Sequence, residues 1–228
     1  MIMDYLERNY LPENFYGIPA LIDYCNLGEM CTFKKGDPII LPGQYLKKLL
    51  LIIDGKVKVS RLSSSGREHF QYFAEKNAII NELFPSEDSP LQIIATRNTQ
   101  TCMFTSGQLL QIISNDNTIA LEILKGLSQK SNYFEERLVE RTYDTATTRI
   151  CHLIRNLVLQ VGVYEDGRCL IDIPLPQNYI SQITGLHFIT VCNVIKKLKN
   201  EKILGKDGKK LIVYDVEKLN KYLMLYEE

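Results

Sequence analysis

Residues 177–200 read QNYISQITGLHFITVCNVIKKLKN and contain two short helical patterns separated by a glycine. In the second pattern, four apolar residues recur at the spacing of one helix face: Val191, Val194, Ile195 and Leu198. The first pattern has a shorter apolar face at Ile180 and Ile183, and Gly185 can take the positive φ of a tight turn. Small Ser181 would let the second helix cross closely. These features predict a helix-turn-helix, which places its second helix in the DNA major groove.

An ordinary corner between two helices of a helical core is the alternative, and two observations favour the DNA-binding motif. Outside the apolar stripe, the second helix carries amide, hydroxyl and lysine side chains. The next segment reads as a β-hairpin, because residues 202–206 and 209–214 flank Asp207-Gly208, a strong signal for a tight turn. A two-stranded wing is therefore predicted to follow the recognition helix.

The sequence pattern of the segment from Gly28 to Thr105 is typical of a β-domain. Short β-type runs alternate with turns such as Lys35-Gly36-Asp37 and Asp54-Gly55, which indicates an antiparallel roll or barrel. The predicted strands are residues 30–33, 38–41, 48–53, 56–62, 69–73, 91–96 and 101–105. A helical lead-in over residues 1–27 precedes them. The fold class is therefore α+β.

Residues 117–142 form the longest helical pattern. Their seam steps by four and three residues through Ala120, Leu124, Leu127, Ser131, Phe134, Leu138 and Arg141. A seam of this kind predicts a two-stranded coiled coil between identical subunits, with dimerisation residues Ala120, Leu124, Leu127, Phe134 and Leu138. An amphipathic helix packed on its own domain is the alternative. A second row, Ile119 and Ile123, can pack against the roll.

Composition and charge set the broad class. With 45% hydrophobic and 24% charged residues, the 228-residue chain is expected to be globular. Its first residues lack the apolar run of a signal peptide and no membrane span is predicted, so we expect a cytoplasmic protein. Net charge is zero, but residues 196–210 hold seven lysines against Glu201 and Asp207. That local excess fits a nucleic-acid contact.

These patterns divide the chain into a β-roll with its lead-in (1–116), a long helix (117–143) and a DNA-binding domain (144–228). In the last domain, a helix marked by Ile150 to Val161, a strand over residues 169–173 and a closing helix over residues 215–226 accompany the motif. Residues 142–148 carry capping-type side chains, which places a hinge there.

The winged motif, the turns Lys35-Gly36 and Pro42-Gly43, and the hairpin around Asp54-Gly55 resemble, in this order, the bacterial Crp/Fnr family of transcription regulators, related to the cyclic-AMP receptor protein and the fumarate-nitrate regulator. The resemblance extends over nearly the whole chain. It implies a β-roll like a cyclic-nucleotide-binding jelly roll, a long dimerisation helix and a C-terminal winged helix-turn-helix. It also implies a homodimer on an inverted-repeat operator in double-stranded DNA, and contact with RNA polymerase if the protein is an activator.

The family motif assigns base-reading positions to Phe188, Ile189 and Asn193, and a phosphate contact to Thr190. Many members carry a glutamate and an arginine where this chain has Ile189 and Asn193. Asparagine can pair with adenine and an apolar side chain can pack on a thymine methyl group, so A·T-rich half-sites are a hypothesis. The full predicted DNA-binding set is Gln177, Asn178, His187, Phe188, Ile189, Thr190, Asn193, Lys196 and Lys197.

The sensor motif departs from the family's cyclic-nucleotide branch, which holds a phosphate on a glycine-glutamate-leucine turn with a following arginine. Glu82-Leu83 are present, but Asn81 replaces the glycine and no arginine precedes Ala95. A buried phosphate without its cation is disfavoured, so a small-molecule effector other than a cyclic nucleotide is predicted, as in the branch that senses aromatic acids. Candidate lining residues, which could instead be simple core, are Tyr72, Phe73, Asn81, Glu82, Leu83, Leu127 and Lys130.

Other function classes remain as alternatives. The family's oxygen-sensing branch binds an iron-sulfur cluster, and Cys25, Cys31 and Cys102 faintly resemble its cysteines, but no C-x-x-C pair occurs. Two alternative functions remain: a redox- or cluster-responsive regulator of the same fold, and a cyclic-nucleotide-binding module without DNA function. An enzyme is a further alternative, but the sequence contains no catalytic motif that joins its three histidines, His69, His152 and His187. No catalytic residue, metal ligand or cofactor is predicted.

Overall fold

The structure is a computed structural model that describes residues 17–64, 66, 68–85, 90–172, 175–208 and 210–224. Outside these ranges lie the predicted lead-in before residue 17, Ile173, Lys209 and the last residues of the predicted closing helix. The chain divides into two compact units, with residues 11–133 in one and residues 134–228 in the other. Among the described residues, no helix is long and apolar enough to cross a membrane.

The first unit is a roll of two antiparallel four-stranded sheets, with strand orders β1-β8-β3-β6 and β2-β7-β4-β5. Its strands are β1 (Glu29–Phe33), β2 (Pro38–Ile40), β3 (Leu49–Asp54), β4 (Lys56–Leu62), β5 (Glu68–Glu75), β6 (Ile79–Asn81), β7 (Leu91–Ala95) and β8 (Thr99–Phe104). The predicted α+β class and the β-roll are confirmed, with strand ends shifted by one or two residues. Strand β6 was not predicted, because three residues show no alternation.

Strand β3 is buried on both faces, which explains its unbroken apolar run. Leu50 and Ile52 face one core cluster inside the roll. Leu49 and Leu51 face a second cluster, which includes Ile112 and Ile119 of the following helices. Because successive side chains of a strand point to opposite faces, a strand buried on both sides needs apolar residues at every position.

The turn between β3 and β4 depends on Gly55. Its φ is +98°, and a Cβ atom there would lie 2.4 Å from the carbonyl oxygen of Asn98. Only glycine fits this backbone without strain. The predicted glycine turn therefore fixes the hairpin that carries β4 along the roll.

A 3₁₀ helix (Pro19–Leu27) precedes the strands of the roll. Two helices follow them, α1 (Ser106–Asn115) and the long α2 (Thr118–Tyr143). A capping box between Thr105 and Gln108 starts α1. Ile119 is fully buried and Ile123 packs on the second cluster, so the predicted second row of the long helix does pack on the roll.

The second unit is a winged-helix domain. It contains the helices α3 (Ala146–Val161), α4 (Gln177–Thr184), α5 (Phe188–Asn200) and α6 (Val216–Met224), and an antiparallel sheet of order β11-β12-β10-β9. Its strands are β9 (Gly162–Glu165), β10 (Arg168–Ile171), β11 (Leu204–Asp207) and β12 (Lys210–Val213). Thr145 caps α3 by accepting the Thr148 N–H at 3.2 Å. Where the sequence predicted one strand over 169–173, the structure has a β9–β10 hairpin.

Candidate DNA-binding surface and effector site

The turn between α4 and α5 has the predicted geometry. Gly185 lies in the left-handed region, with φ 67° and ψ 17°. The Ser181 hydroxyl donates a hydrogen bond of 2.6 Å to the Leu186 carbonyl. Ser181 therefore ties the turn to α4, a role beyond the close helix crossing that the sequence suggested.

Helix α5 buries the predicted stripe of Val191, Val194, Ile195 and Leu198. His187 caps the helix, since its Nδ1 accepts the Ile189 N–H at 3.3 Å. The opposite side is open to solvent: Ile189 is 60% exposed and Phe188 43%. The first two side chains of α5 are therefore largely open to solvent in the described part of the domain.

The structure distributes the other predicted DNA-binding residues over two helices. Asn193 and Lys196 are exposed on the same side of α5, Asn178 is exposed on α4, and Thr190 is half-buried. Gln177 is half-buried, and its Oε1 accepts a hydrogen bond of 3.0 Å from the Cys192 thiol, which links α4 to α5. Seven of the nine predicted residues thus lie at the start of α4 or in the first two turns of α5 with its cap.

Lys197 is exposed on α5, outside the apolar stripe, and it also contacts the closing helix. Its ammonium is 4.8 Å from the centroid of the Tyr222 ring on α6, and the Tyr222 hydroxyl donates to Glu201 at 2.6 Å. The hydrogen bond with Tyr222 and the nearby Glu201 raise the pKa of Lys197. The Lys197 ammonium therefore interacts with the ring of a residue on the closing helix. Sequence spacing could not predict this contact, because the two residues lie far apart in the chain.

Wing lysines are a further set that the residue-level prediction omitted. Lys206 on β11 and Lys210 on β12 are exposed, and the Lys210 ammonium lies 3.3 Å from an Asp172 carboxylate oxygen. The hairpin pairs Asp207 with Lys210 and turns at Gly208, as predicted. The sequence contained a signal for these two residues, because they belong to the local excess of lysines over residues 196–210.

In the roll, the structure brings together Lys130 of α2 and Tyr72 of β5. The Lys130 ammonium donates to the Ile79 carbonyl at 2.5 Å and lies 3.5 Å from the Tyr72 hydroxyl and 4.8 Å from the Tyr72 ring centroid. Burial lowers the pKa of Lys130 to about 8, against the opposing charge of Glu82. Burial also raises the pKa of Tyr72, which keeps its hydroxyl neutral.

Glu82 and Arg61 extend this group. Burial raises the pKa of Glu82, while the charges of Arg61 and Lys130 oppose that shift. Arg61 of β4 also acts on Tyr72, so it belongs to the same electrostatic neighbourhood. Arg61 was missed by the sequence reasoning because it lies 21 residues before Glu82 on another strand, with no shared motif.

The remaining predicted effector residues are placed less uniformly. Leu83 packs against the second core cluster and Leu127 is half-buried. The Asn81 side chain accepts the Leu83 N–H at 3.2 Å, which closes a local turn. Phe73 contacts Lys56, at 4.5 Å from its ring centroid, on the face of β5 opposite Tyr72, so the structure does not bring it to the Lys130 group.

The predicted dimer seam of α2 is largely open in the single chain. Leu124 is 58% exposed, Leu138 67% and Phe134 38%. Ala120 and Leu127 are half-buried and Ser131 is exposed. The Arg141 side chain lies outside the described part of the structure.

The described cysteines are free thiols, and the described residues contain no group of three or more histidine, cysteine or acidic side chains able to hold a metal ion. Cys102 is buried and its thiol lies 3.8 Å from the Cys25 carbonyl oxygen. Burial raises the pKa of both thiols. Thiols in this state are poor nucleophiles.

Each of the two units matches the model of a known protein family. Residues 30–116 match the family model described as cyclic nucleotide-binding domain, and residues 148–222 match the Crp-like helix-turn-helix domain. The "CRP-like cAMP-activated global transcriptional regulator" of Mycobacterium tuberculosis is 23% identical over 189 residues, covering 82% of this chain and 84% of that protein. The "Global nitrogen regulator" of a Nostoc species is 21% identical over 187 residues, covering 80% and 84%.

Solved structures of CprK are similar at higher identity. A cysteine-to-serine variant of CprK complexed with OCPA matches with a TM-score of 0.88 and 31% identity, over 94% of this chain and 98% of that one. Oxidised CprK in complex with o-chlorophenolacetic acid matches with a TM-score of 0.56 and 32% identity, over 96% and 91%. With both units matched by family models and CprK similar over nearly its whole length, the chain belongs to the Crp/Fnr family of transcription regulators.

Proposed function

We propose that this regulator is a homodimer that binds an inverted-repeat operator and is controlled by a small aromatic acid held in the β-roll. The observation that carries the proposal is the ammonium of the half-buried Lys130, which lies against the Tyr72 ring and hydroxyl. In this view the protein is a regulator rather than an enzyme, acts in the cytoplasm where its DNA lies, and contacts RNA polymerase if it is an activator.

The electrostatics of Lys130 favour an anionic ligand. Burial lowers its pKa even though Glu82 acts in the opposite direction, so the existing carboxyl does not offset the loss of solvent. A carboxylate placed beside Lys130 would supply a charge-assisted hydrogen bond and favour the charged form further.

The aromatic part of the ligand is inferred from Tyr72. Its ring is buried in the roll core, and an aromatic wall beside one cation suits a ring that carries an acid group. The crystallised ligand of CprK, o-chlorophenolacetic acid, has this chemistry. A cyclic nucleotide suits the site less well, because Asn81 already occupies the Leu83 N–H that lies in the corresponding phosphate-binding turn.

Operator binding is proposed to use the open side of α5. Asn193 would pair with a base edge, Phe188 and Ile189 would pack on thymine methyl groups, and Thr190 and Lys196 would contact phosphates. The exposed leucines of the α2 seam would be covered by a second copy of the chain. Two recognition helices related by a two-fold axis require half-sites about 10 base pairs apart.

Thermal unfolding of the full-length protein with o-chlorophenolacetic acid, phenylacetate or cyclic AMP tests the effector. An acid at about 100 times its dissociation constant should stabilise the folded state by about 2.7 kcal/mol. Lys130→Met should remove this gain, whereas Lys125→Met, on the same helix but exposed, should retain it. Stabilisation by cyclic AMP and not by any acid would contradict the proposal.

Selection of operators from a random DNA pool tests the DNA contact independently. An inverted repeat should emerge, and its enrichment should change when the stabilising acid is present. A pool that returns no palindrome would contradict the two-fold arrangement, whatever the effector proves to be.

A further inference from the structure

The winged-helix unit contains a cavity of about 380 Å³, and its lining does not include the exposed residues at the start of α5. It lies where the start of α4, the flank of α5 and the wing meet. Its lining residues are Leu175, Pro176, Gln177, Ile180, Ile195, Lys199, Lys206, Lys210 and Leu211. The volume falls within the range of about 300–1,000 Å³ that is usual for small-molecule sites.

The cavity has an apolar floor. Ile180 and Ile195 are core residues of the two motif helices, only 3% and 5% exposed, and the cavity reaches their side chains. Leu175 and Leu211, which are half-buried, complete this floor. An apolar floor offers no hydrogen-bond donors to phosphate oxygens, whereas it suits a hydrocarbon group.

The rim of the cavity is positively charged. Lys199, Lys206 and Lys210 come from three different elements, namely α5, β11 and β12. Lys210 is already near Asp172, at 3.3 Å, and both side chains remain substantially exposed. The described lining residues include three lysines and no aspartate or glutamate, and the neighbouring Asp172 partly offsets the charge of Lys210 alone.

We propose that this cavity binds a small organic anion with an apolar body, such as a medium-chain carboxylate. Its carboxylate would lie among the ammonium groups of Lys199, Lys206 and Lys210, and its hydrocarbon part would cover Ile180 and Ile195. The charge of the rim selects the anion, and the area of the floor removed from water favours the apolar body.

Such a ligand acts on DNA binding through two neighbours. Lys199 is one turn from the exposed Lys196 on α5, and Gln177 both lines the cavity and joins α4 to Cys192 of α5. A carboxylate in the cavity neutralises lysine charge beside Lys196, which is a proposed phosphate contact, and therefore lowers DNA affinity. This consequence rests on the proposed operator binding, whereas ligand binding to the cavity does not.

Methyl NMR of the full-length protein with isoleucine labels tests the cavity, using octanoate as the probe and octylammonium as a control of equal length and opposite charge. Octanoate should shift the Ile180 and Ile195 signals in a saturable way, while octylammonium leaves them in place. Lys199→Gln combined with Lys206→Gln should weaken octanoate binding at least about threefold. Lys34→Gln combined with Lys35→Gln, exposed in a turn of the roll, should leave it unchanged.

Unmoved Ile180 and Ile195 signals, equal shifts with octylammonium, or unchanged affinity in the Lys199/Lys206 variant would each overturn the proposal. Competition is read from the anisotropy of labelled operator DNA in the Lys130→Met background, which removes the proposed roll site. Octanoate should lower DNA affinity there, and unchanged affinity would overturn the competition. If the protein without octanoate fails to bind DNA, the proposed function fails while the NMR result still decides the cavity.

Discussion

Effector binding in the roll should depend on pH through Lys130. Its ammonium faces Tyr72 and the Ile79 carbonyl, with Glu82 and Arg61 as the nearby charged groups. Burial holds the pKa of Lys130 at about 8, below the usual range of a lysine. Because a carboxylate ligand needs the charged form, affinity should be near its maximum at about pH 7, about half of that at about pH 8, and lower still at higher pH.

The size of the effect follows from that pKa of about 8. If only the protonated form binds, the apparent dissociation constant rises by the factor 1 + 10^(pH−pKa), and is therefore about tenfold larger at about pH 9 than at about pH 7. Tyr72 does not add to the change, because burial raises its pKa out of this interval. Phenylacetate is a suitable ligand, since its carboxylate stays ionised throughout.

Isothermal titration of phenylacetate between neutral and alkaline pH measures this change. Lys130→Arg keeps the charge at all these pH values and should flatten the profile, because arginine does not deprotonate in this range. Lys125→Arg, which alters an exposed ion pair with Glu122, should leave the tenfold fall in place. A flat profile for the unmodified protein, or an unchanged fall in Lys130→Arg, would refute the role of Lys130.

Three further outcomes follow from the fold. Leu127→Lys combined with Leu138→Lys places like charges across the proposed two-fold seam, so sedimentation should show a monomer; an unchanged dimer means that the seam is misassigned. Asn193→Ala should reduce discrimination at one base pair per half-site by about 1–3 kcal/mol in competitive DNA binding, while Asn200→Ala at the exposed end of the same helix should not. Gly185→Val introduces a branched side chain at φ 67° and should cost about 1–2 kcal/mol of unfolding free energy; a denaturation curve that overlays the original would contradict the strain.

Periodicity and turn chemistry were sufficient to predict most of the architecture. The stripe of Val191 to Leu198 is a local signal, because one helix face repeats every three to four residues whatever it packs against. The same holds for the positive-φ turns at Gly55 and Gly185, since their backbone demands glycine. The β9–β10 hairpin was missed although Asp166-Gly167 carries the turn signal that identified the wing.

The candidate sites were less accessible to this reasoning because they depend on contacts between distant segments. Phe73 was grouped with Tyr72, yet neighbours on a strand point to opposite faces, and the register places Tyr72 opposite Val59 of the core and Phe73 opposite Lys58. The charge of Arg61 on β4 acts on Glu82, and the Tyr222 ring on α6 contacts Lys197 on α5. Neither pairing leaves a mark in sequence spacing.

The turn at residues 81–83 gives a physical reason why this roll should differ in its ligand from a cyclic-nucleotide receptor. A glycine there leaves backbone N–H groups free to bind a phosphate, whereas the Asn81 side chain accepts the Leu83 N–H itself. The position of the cation also differs, because no arginine precedes Ala95, whereas the half-buried Lys130 on the long helix places its ammonium against the Ile79 carbonyl. A ligand drawn to Lys130 contacts the helix that carries the proposed dimer seam. Its binding can then favour one arrangement of two such helices over another, which is what a regulator needs from its effector.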